Sequence, residues 1–125
     1  MACEIIWEER GILFKHTGTA TSKEGMEMID EMYADSRFDR LKYQISDFTT
    51  VTNFQLTDAE AKVFGILDRT SSRWNKNRVL IAFVTQDEKF IPLVNTYFEQ
   101  FKGTDWQCSI FETLDKAYDW VESEL

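Results

Sequence analysis

Hydrophobic and polar positions change period along this 125-residue chain, and the changes mark its elements. From Lys42 to Phe48, Tyr43, Ile45 and Asp47 alternate with Gln44, Ser46 and Phe48, a period of two that suits a strand with one drier face. Thr49 to Gln55 (TTVTNFQ) is polar and is predicted as a turn. From Thr57 the spacing becomes helical, with Val63, Ile66, Leu67 and Thr70 in step. Thr57 and Glu60 stand at capping-box separation, so the hydroxyl accepts from one orphan amide and the carboxylate reaches back to another. This helix is predicted to run out between Ser71 and Trp74. The turn then lies at the carboxyl end of a strand and the positive end of a helix, where open α/β sheets meet ligands and partners.

The other elements follow the same logic. Residues 4–9 and 12–19 are predicted as two short strands around Arg10-Gly11, a hairpin. Thr21 and Glu24 repeat the capping-box spacing and open a helix with Met26, Met28, Ile29, Met32 and Tyr33 on its apolar side, weakened by Gly25. Asp35 to Arg40 is a charged connection. Arg78 to Val84 is a short, β-branched apolar run, the pattern of a central strand covered on both sides. Gln86 to Glu88 is a loop, and the helix carrying Phe90, Val94, Tyr97, Phe98 and Phe101 starts no earlier than Lys89, because Pro92 fits only a first turn. Gln107 to Phe111 is the last strand, and Thr113 caps a final helix with Leu114, Ala117, Tyr118 and Val121 inside.

The predicted order is β-β-α-β-α-β-α-β-α, an α/β fold with a mixed, mostly parallel sheet in one domain spanning 1–125. Right-handed crossovers place the helices between sequentially ordered parallel strands on one face. The other face, expected to carry the polar positions Lys42, Gln44, Ser46, Gln107 and Ser109, is then only partly covered, by the N-terminal strand or by a partner.

Composition narrows the functional classes. A net charge of −8 argues against nucleic acid and against an anionic membrane surface. The first residues lack the apolar run of a signal peptide and no segment resembles a membrane span, so a cytoplasmic protein is expected. Cys3 and Cys108 form neither a zinc pattern nor a disulfide framework and read as small hydrophobes. His16 is the only histidine and reads as a structural strand residue on the face of Ile12 and Phe14. No nucleophile elbow, metal set or phosphate-cradling glycine loop is present, which points away from an enzyme and from any cofactor. Arg69, Arg73, Lys76 and Arg78 form one basic group that complements a helix C-terminus. Phe90, Ile91, Leu93, Val94, Tyr97, Phe98 and Phe101 exceed one buried stripe, so part of that helix must meet the last helix, a second copy of the chain or an apolar ligand.

With this order read, the chain resembles the SpoIIAA-like fold family, which includes the STAS domains and small bacterial proteins of unknown task. Gly11-Ile12-Leu13 leading to Thr17-Gly18, the run Tyr43 to Phe48, the run Arg78 to Val84 and the ending Phe111-Glu112-Thr113-Leu114-Asp115-Lys116-Ala117-Tyr118-Asp119-Trp120 carry the resemblance. The ending is similar to the family's F-x-(S/T)-L-x-x-A-x-x-W close. Anti-sigma-factor antagonists of the family carry an Asp-Ser-Ser-Gly motif in which one serine is phosphorylated. Matching Asp47 and Val51 to that pattern places Gln55-Leu56-Thr57-Asp58 there, with Leu56 at the phosphorylated position. The resemblance implies a branch without the phosphoserine switch, some of whose relatives have been proposed to bind hydrophobic ligands.

The expected function is a non-catalytic, regulatory protein-interaction module, acting on an unnamed protein partner and pairing as a homodimer. Its interaction surface is expected at Asp47, Thr49, Thr50, Asn53, Thr57, Tyr97, Phe98 and Phe101. The alternative is a binder of a small hydrophobic ligand or lipid between the aromatic helix and Phe64, Leu67 and Trp74, with a cavity of roughly a few hundred Å³.

Overall fold

The structure, a computed structural model, describes residues 3–71 and 78–125. Among them one five-stranded sheet runs in sequence order, β1 (Cys3–Trp7), β2 (Gly11–Thr21), β3 (Tyr43–Gln55), β4 (Leu80–Val84) and β5 (Gln107–Phe111). β1 and β2 form the predicted antiparallel hairpin, and the remaining neighbours are parallel. Between them lie α1 (Ser22–Ala34), a short 3₁₀ helix (Ser36–Arg40), α2 (Asp58–Ser71) and α3 (Ile91–Glu99), and α4 (Leu114–Glu124) closes the order.

The caps are where the spacing put them. Thr21 accepts from the Glu24 amide at 3.3 Å and Thr113 from the Lys116 amide at 3.3 Å. At α2 the box is complete, with Glu60 N donating to Thr57 Oγ1 at 3.1 Å and Thr57 N to Glu60 Oε1 at 2.9 Å. Pro92 sits in the first turn of α3, where its missing amide hydrogen costs nothing.

Alternation along the strands builds a core on each face of the sheet, and Phe48, Phe90 and Val94 form a further cluster. Ile12, Phe14 and Ile81 meet Ile29 and Met32 of α1, Phe64 of α2, and Tyr97 of α3. Leu13, Tyr43, Ile45, Leu80, Ala82 and Val84 meet Ala117 and Val121 of α4 on the opposite face. The crossover helices thus share one face, and α4 supplies the other cover. The N-terminal strand does not cover a face; it extends the sheet edge. The polar strand positions also divide. Gln44 and Ser46 are buried beneath α1–α3, whereas Gln107 and Ser109 pair with Leu80 and Ala82 in the register that faces α4.

Two elements differ from the sequence expectation. Thr49 to Gln55 is not a turn but the second half of β3, which pairs with Thr17 to Thr21 of an equally long β2. Its threonines and Val51 are β-branched and suit a pleat, and two register shifts in the β2–β3 ladder carry the ribbon beyond Asp47, the last residue of β3 that pairs with β4. Gly18, at φ 67°, lies at the second shift. The second difference is the face of α2. Val63, Ile66 and Leu67 are exposed, and Ala61, Phe64, Gly65, Asp68 and Ser71 face inward. The inward stripe is small and partly polar because α3 lies very close: a Cβ on Gly65 would stand 2.7 Å from the Tyr97 carbonyl oxygen. The helix end expected between Ser71 and Trp74 lies outside the described residues beyond Ser71.

The projecting β2–β3 ribbon accounts for the aromatic surplus of α3. Phe54 stacks on Phe90 with centroids 3.9 Å apart, and Phe48 meets Phe90 at 4.8 Å. Farther along, Tyr97 meets Phe83 at 5.1 Å and Phe101 stacks on Trp106 at 5.7 Å. The helix is therefore covered within the chain.

Candidate functional site

Beneath α1, α2 and α3, toward the carboxyl ends of the parallel strands, the helical layer leaves a cavity of about 100 Å³. Phe14, Phe48 and Phe83 from the sheet and Met28, Ile29, Phe64 and Val94 from the helices are among the residues that line it. Leu56, just after β3, also lines it. Gly25 lets α1 approach α2 here, because a Cβ at that position would sit 3.0 Å from the Phe64 ring. The helix-weakening glycine read from the sequence thus has a packing role.

Polar residues interrupt this wall, Thr21, Glu24 and Ser46 among them, and His16, Gln44 and Asp68 are the buried ones with unusual surroundings. His16 continues the inward face of β2 after Ile12 and Phe14, and its ring stacks on Phe48 at 4.2 Å. Among the described residues His16 Nε2 and Gln44 Nε2 are buried without a hydrogen-bond partner. Burial pushes the imidazole down to about 4, outweighing the opposing pull of Asp47, so the ring is neutral at physiological pH. Asp68 is fully enclosed and accepts from both the Tyr33 and Tyr97 hydroxyls. Desolvation nevertheless raises its carboxyl to about 6, the two hydrogen bonds only partly compensating. Desolvation and the adjacent carboxylate push both phenols well above their ordinary range.

The residues expected to form an interaction surface are dispersed by the fold. Asp47, Tyr97 and Phe101 are buried. Asp47 accepts from the Thr49 amide at 2.9 Å and from its hydroxyl at 2.7 Å, and Tyr97 is held by Asp68. These three therefore present almost no accessible surface: Asp47 lies between β2 and β4, Tyr97 packs against α2, and Phe101 stacks on Trp106. Phe98 is half-buried against Phe83 at 5.3 Å. Thr49, Thr50, Asn53 and Thr57 are exposed. The Thr50 hydroxyl is bonded to the His16 carbonyl at 2.9 Å and Thr57 serves as the α2 cap.

Of the expected ligand contacts, Phe64 lines the cavity, Leu67 is turned outward, and Trp74 lies outside the described residues. The cavity is smaller than the size expected from the sequence. A catalytic convergence of His16 with Asp47 does not form, since Asp47 follows the α4-facing register of Tyr43 and Ile45. From the basic group, Arg78 donates to the Glu124 carbonyl at 2.8 Å, while Arg73 and Lys76 lie outside the described residues. Among the described residues no His, Cys, Asp and Glu cluster has the makings of a metal site, and no helix is long and apolar enough to cross a membrane. Both cysteines are free thiols, raised by burial to about 11 at Cys3 and about 12 at Cys108. Sequence reasoning missed Gln44 and Asp68. The available signal for Asp68 was its position seven residues after Ala61 and four after Phe64, on the inward stripe.

This arrangement of sheet and helices is a SpoIIAA-like fold. The chain is similar to an uncharacterised protein of the DUF3478 family with a SpoIIAA-like fold from Shewanella loihica PV-4. That likeness has a TM-score of 0.55 at 19% identity, over 96% of this chain and 92% of that one. It is also similar to the anti-sigma factor antagonist SpoIIAA in its unphosphorylated form, with a TM-score of 0.59 at 11% identity, over 97% of this chain and 98% of that one. No family model and no curated protein matches the chain.

Proposed function

We propose that this protein is a non-catalytic regulatory module that holds a small, mainly apolar molecule between its sheet and the layer formed by α1, α2 and α3. The carrying observation is the apolar cavity at the carboxyl ends of the parallel strands. Ligands favour that end of an α/β sheet, and a concave apolar wall with few polar groups is the usual form of a small-molecule site. Leu56 adds support. The resemblance matches it to the phosphorylated serine of the antagonists, yet here it is an apolar lining residue. A bound molecule, rather than a phosphate, would then set the state of this region.

Native mass spectrometry of freshly purified, untagged protein tests the reading. The expected result is a chain carrying additional mass that disappears on denaturation, or saturable uptake of added benzene by a bare chain. A bare chain that takes up no benzene would overturn it.

The exposed stripe Val63, Ile66 and Leu67 favours a second reading, a protein-interaction module using the outer face of α2. Exposed apolar groups clustered on one helix mark contact surfaces more often than scattered ones do. Under this reading an Ile66→Lys, Leu67→Lys variant stays folded and loses its native associations, and retention of every association would reject it.

A further inference from the structure

We infer that the open edge of β5 pairs with the same strand of a second copy of this chain, antiparallel and centred on Ser109. The surface is separate from the cavity, which no β5 residue lines.

Among the described residues β5 ends the sheet, with β4 as its one neighbour. Gln107 N donates to the Val79 carbonyl at 3.1 Å, and the Phe111 carbonyl accepts from Thr85 N at 2.9 Å. Backbone direction alternates along a strand, so Gln107, Ser109 and Phe111 address β4. The N–H and C=O groups of Cys108 and Ile110 therefore point out of the sheet edge, where they form a template for another strand.

Open edges are usually blunted by charge, proline or bulges. β1, at the other end of the sheet, carries the exposed Glu4. The outer half of β3 is broken by register shifts against β2. β5 has none of these devices. Its sequence, Gln-Cys-Ser-Ile-Phe, is uncharged and pairs with β4 in unbroken register. Cys108, Ser109, Ile110 and Phe111 are all left partly exposed.

Charge and symmetry select the occupant. In a chain of net charge −8, a second copy is repelled least along an uncharged strand. A two-fold axis through Ser109, perpendicular to the sheet, sets Cys108 of each copy opposite Ile110 of the other. These are the residues with outward backbone groups, so each such pair exchanges both of its N–H···O=C bonds. Cys108 and Ile110 also share the sheet face beneath the crossover helices, where they pack against the clusters of Ile81 and of Phe48. Apolar side chains then meet across the axis on that face, while Ser109 meets its own copy on the α4 face. The two sheets become one, with the crossover helices of both copies on the same side.

Sedimentation velocity of the untagged chain over a concentration series tests the pairing. A monomer–dimer equilibrium is expected. Ser109→Lys sets like charges opposite each other at the axis and is expected to abolish the dimer, and Ser109→Glu to do the same. An equimolar mixture of the two variants is expected to restore it, because only the centred antiparallel register puts this position opposite itself. If the variants do not fold, hydrogen exchange of the unmodified protein decides. The Cys108 and Ile110 amides must gain protection as concentration rises, whereas the Gln107, Ser109 and Phe111 amides, directed at β4, are protected throughout. A monomer at millimolar concentration, a dimer that survives Ser109→Lys, a mixture that stays monomeric, or Cys108 and Ile110 amides that exchange equally fast at every concentration would overturn the proposal. None of these outcomes bears on the ligand-binding reading.

Discussion

His16 lies flat on Phe48, with ring centroids 4.2 Å apart and planes 7° from parallel. The stack joins the inward face of β2 to the point where β3 leaves β4 and continues with β2 alone. It holds the imidazole in the cavity wall through its face, leaving Nε2 unbonded.

This placement makes His16 an acid-sensitive element. Its folded value of about 4 is below the ordinary 6.5, so between these values the unfolded chain binds the extra proton. Its contribution to stability is complete above about 6.5 and is lost as the pH falls through about 4. The loss is on the order of 3 kcal/mol. In urea unfolding from pH 8 to pH 4, wild type is expected to lose stability relative to His16→Phe. A difference that does not vary with pH would contradict a buried neutral imidazole.

Asp68 has the opposite slope. Its folded carboxyl titrates near 6, above the ordinary 3.8, so between these values the folded state binds the extra proton. The stability it contributes is complete below about 3.8 and is lost as the pH rises through about 6. Relative to Asp68→Asn, wild type is expected to weaken on the order of 3 kcal/mol between pH 4 and pH 7.5. Parallel curves for the two proteins in the same urea series would contradict the enclosed carboxyl.

Two glycines distinguish close packing from backbone conformation. Gly65→Ala places a Cβ 2.7 Å from the Tyr97 carbonyl oxygen and 2.4 Å from Gln100 Cγ. It is expected to cost about 1–3 kcal/mol and to push α2 away from α3. Gly18→Ala meets no neighbour but places a side chain at φ 67°, with an expected cost of about 1 kcal/mol. Thermal unfolding of both variants checks the order.

The two faces of α2 should respond differently to substitution. Phe64→Ala removes a ring from the inner wall and is expected to cost about 3–5 kcal/mol. Ile66→Lys lies on the outer face, where Ile66 is 46% exposed, and is expected to move stability by no more than about 0.5 kcal/mol. Chemical denaturation of both proteins reverses the assignment if their costs are exchanged.

That assignment marks where sequence patterning succeeded and where it failed. β4 and the caps of α1, α2 and α4 were legible because local chemistry determines them: a short β-branched run and hydroxyls three residues before an amide. The inner face of α2 was not. Val63, Ile66 and Leu67 form a better apolar stripe than Ala61, Phe64, Gly65, Asp68 and Ser71, but only Gly65 permits the approach of Tyr97 and Gln100. The second half of β3 was read as a turn because its threonines and Asn53 are polar, and their pairing with Thr17 to Thr21 depends on residues over thirty positions away. The cavity was only partly legible. His16 belonged visibly to an inward strand face, whereas Asp68 appears as a surface residue until Tyr33 and Tyr97 are brought to it from other helices.

The most direct test of the central claim is a benzene titration followed through the methyl resonances of the protein. Saturable shifts are expected at Ala61, Ile29, Leu56 and Val94, which line the cavity, with Ala117 and Val121 on the inner face of α4 unchanged. Shifts confined to Val63, Ile66 and Leu67, or no saturable shift at all, would contradict a ligand site beneath α1, α2 and α3.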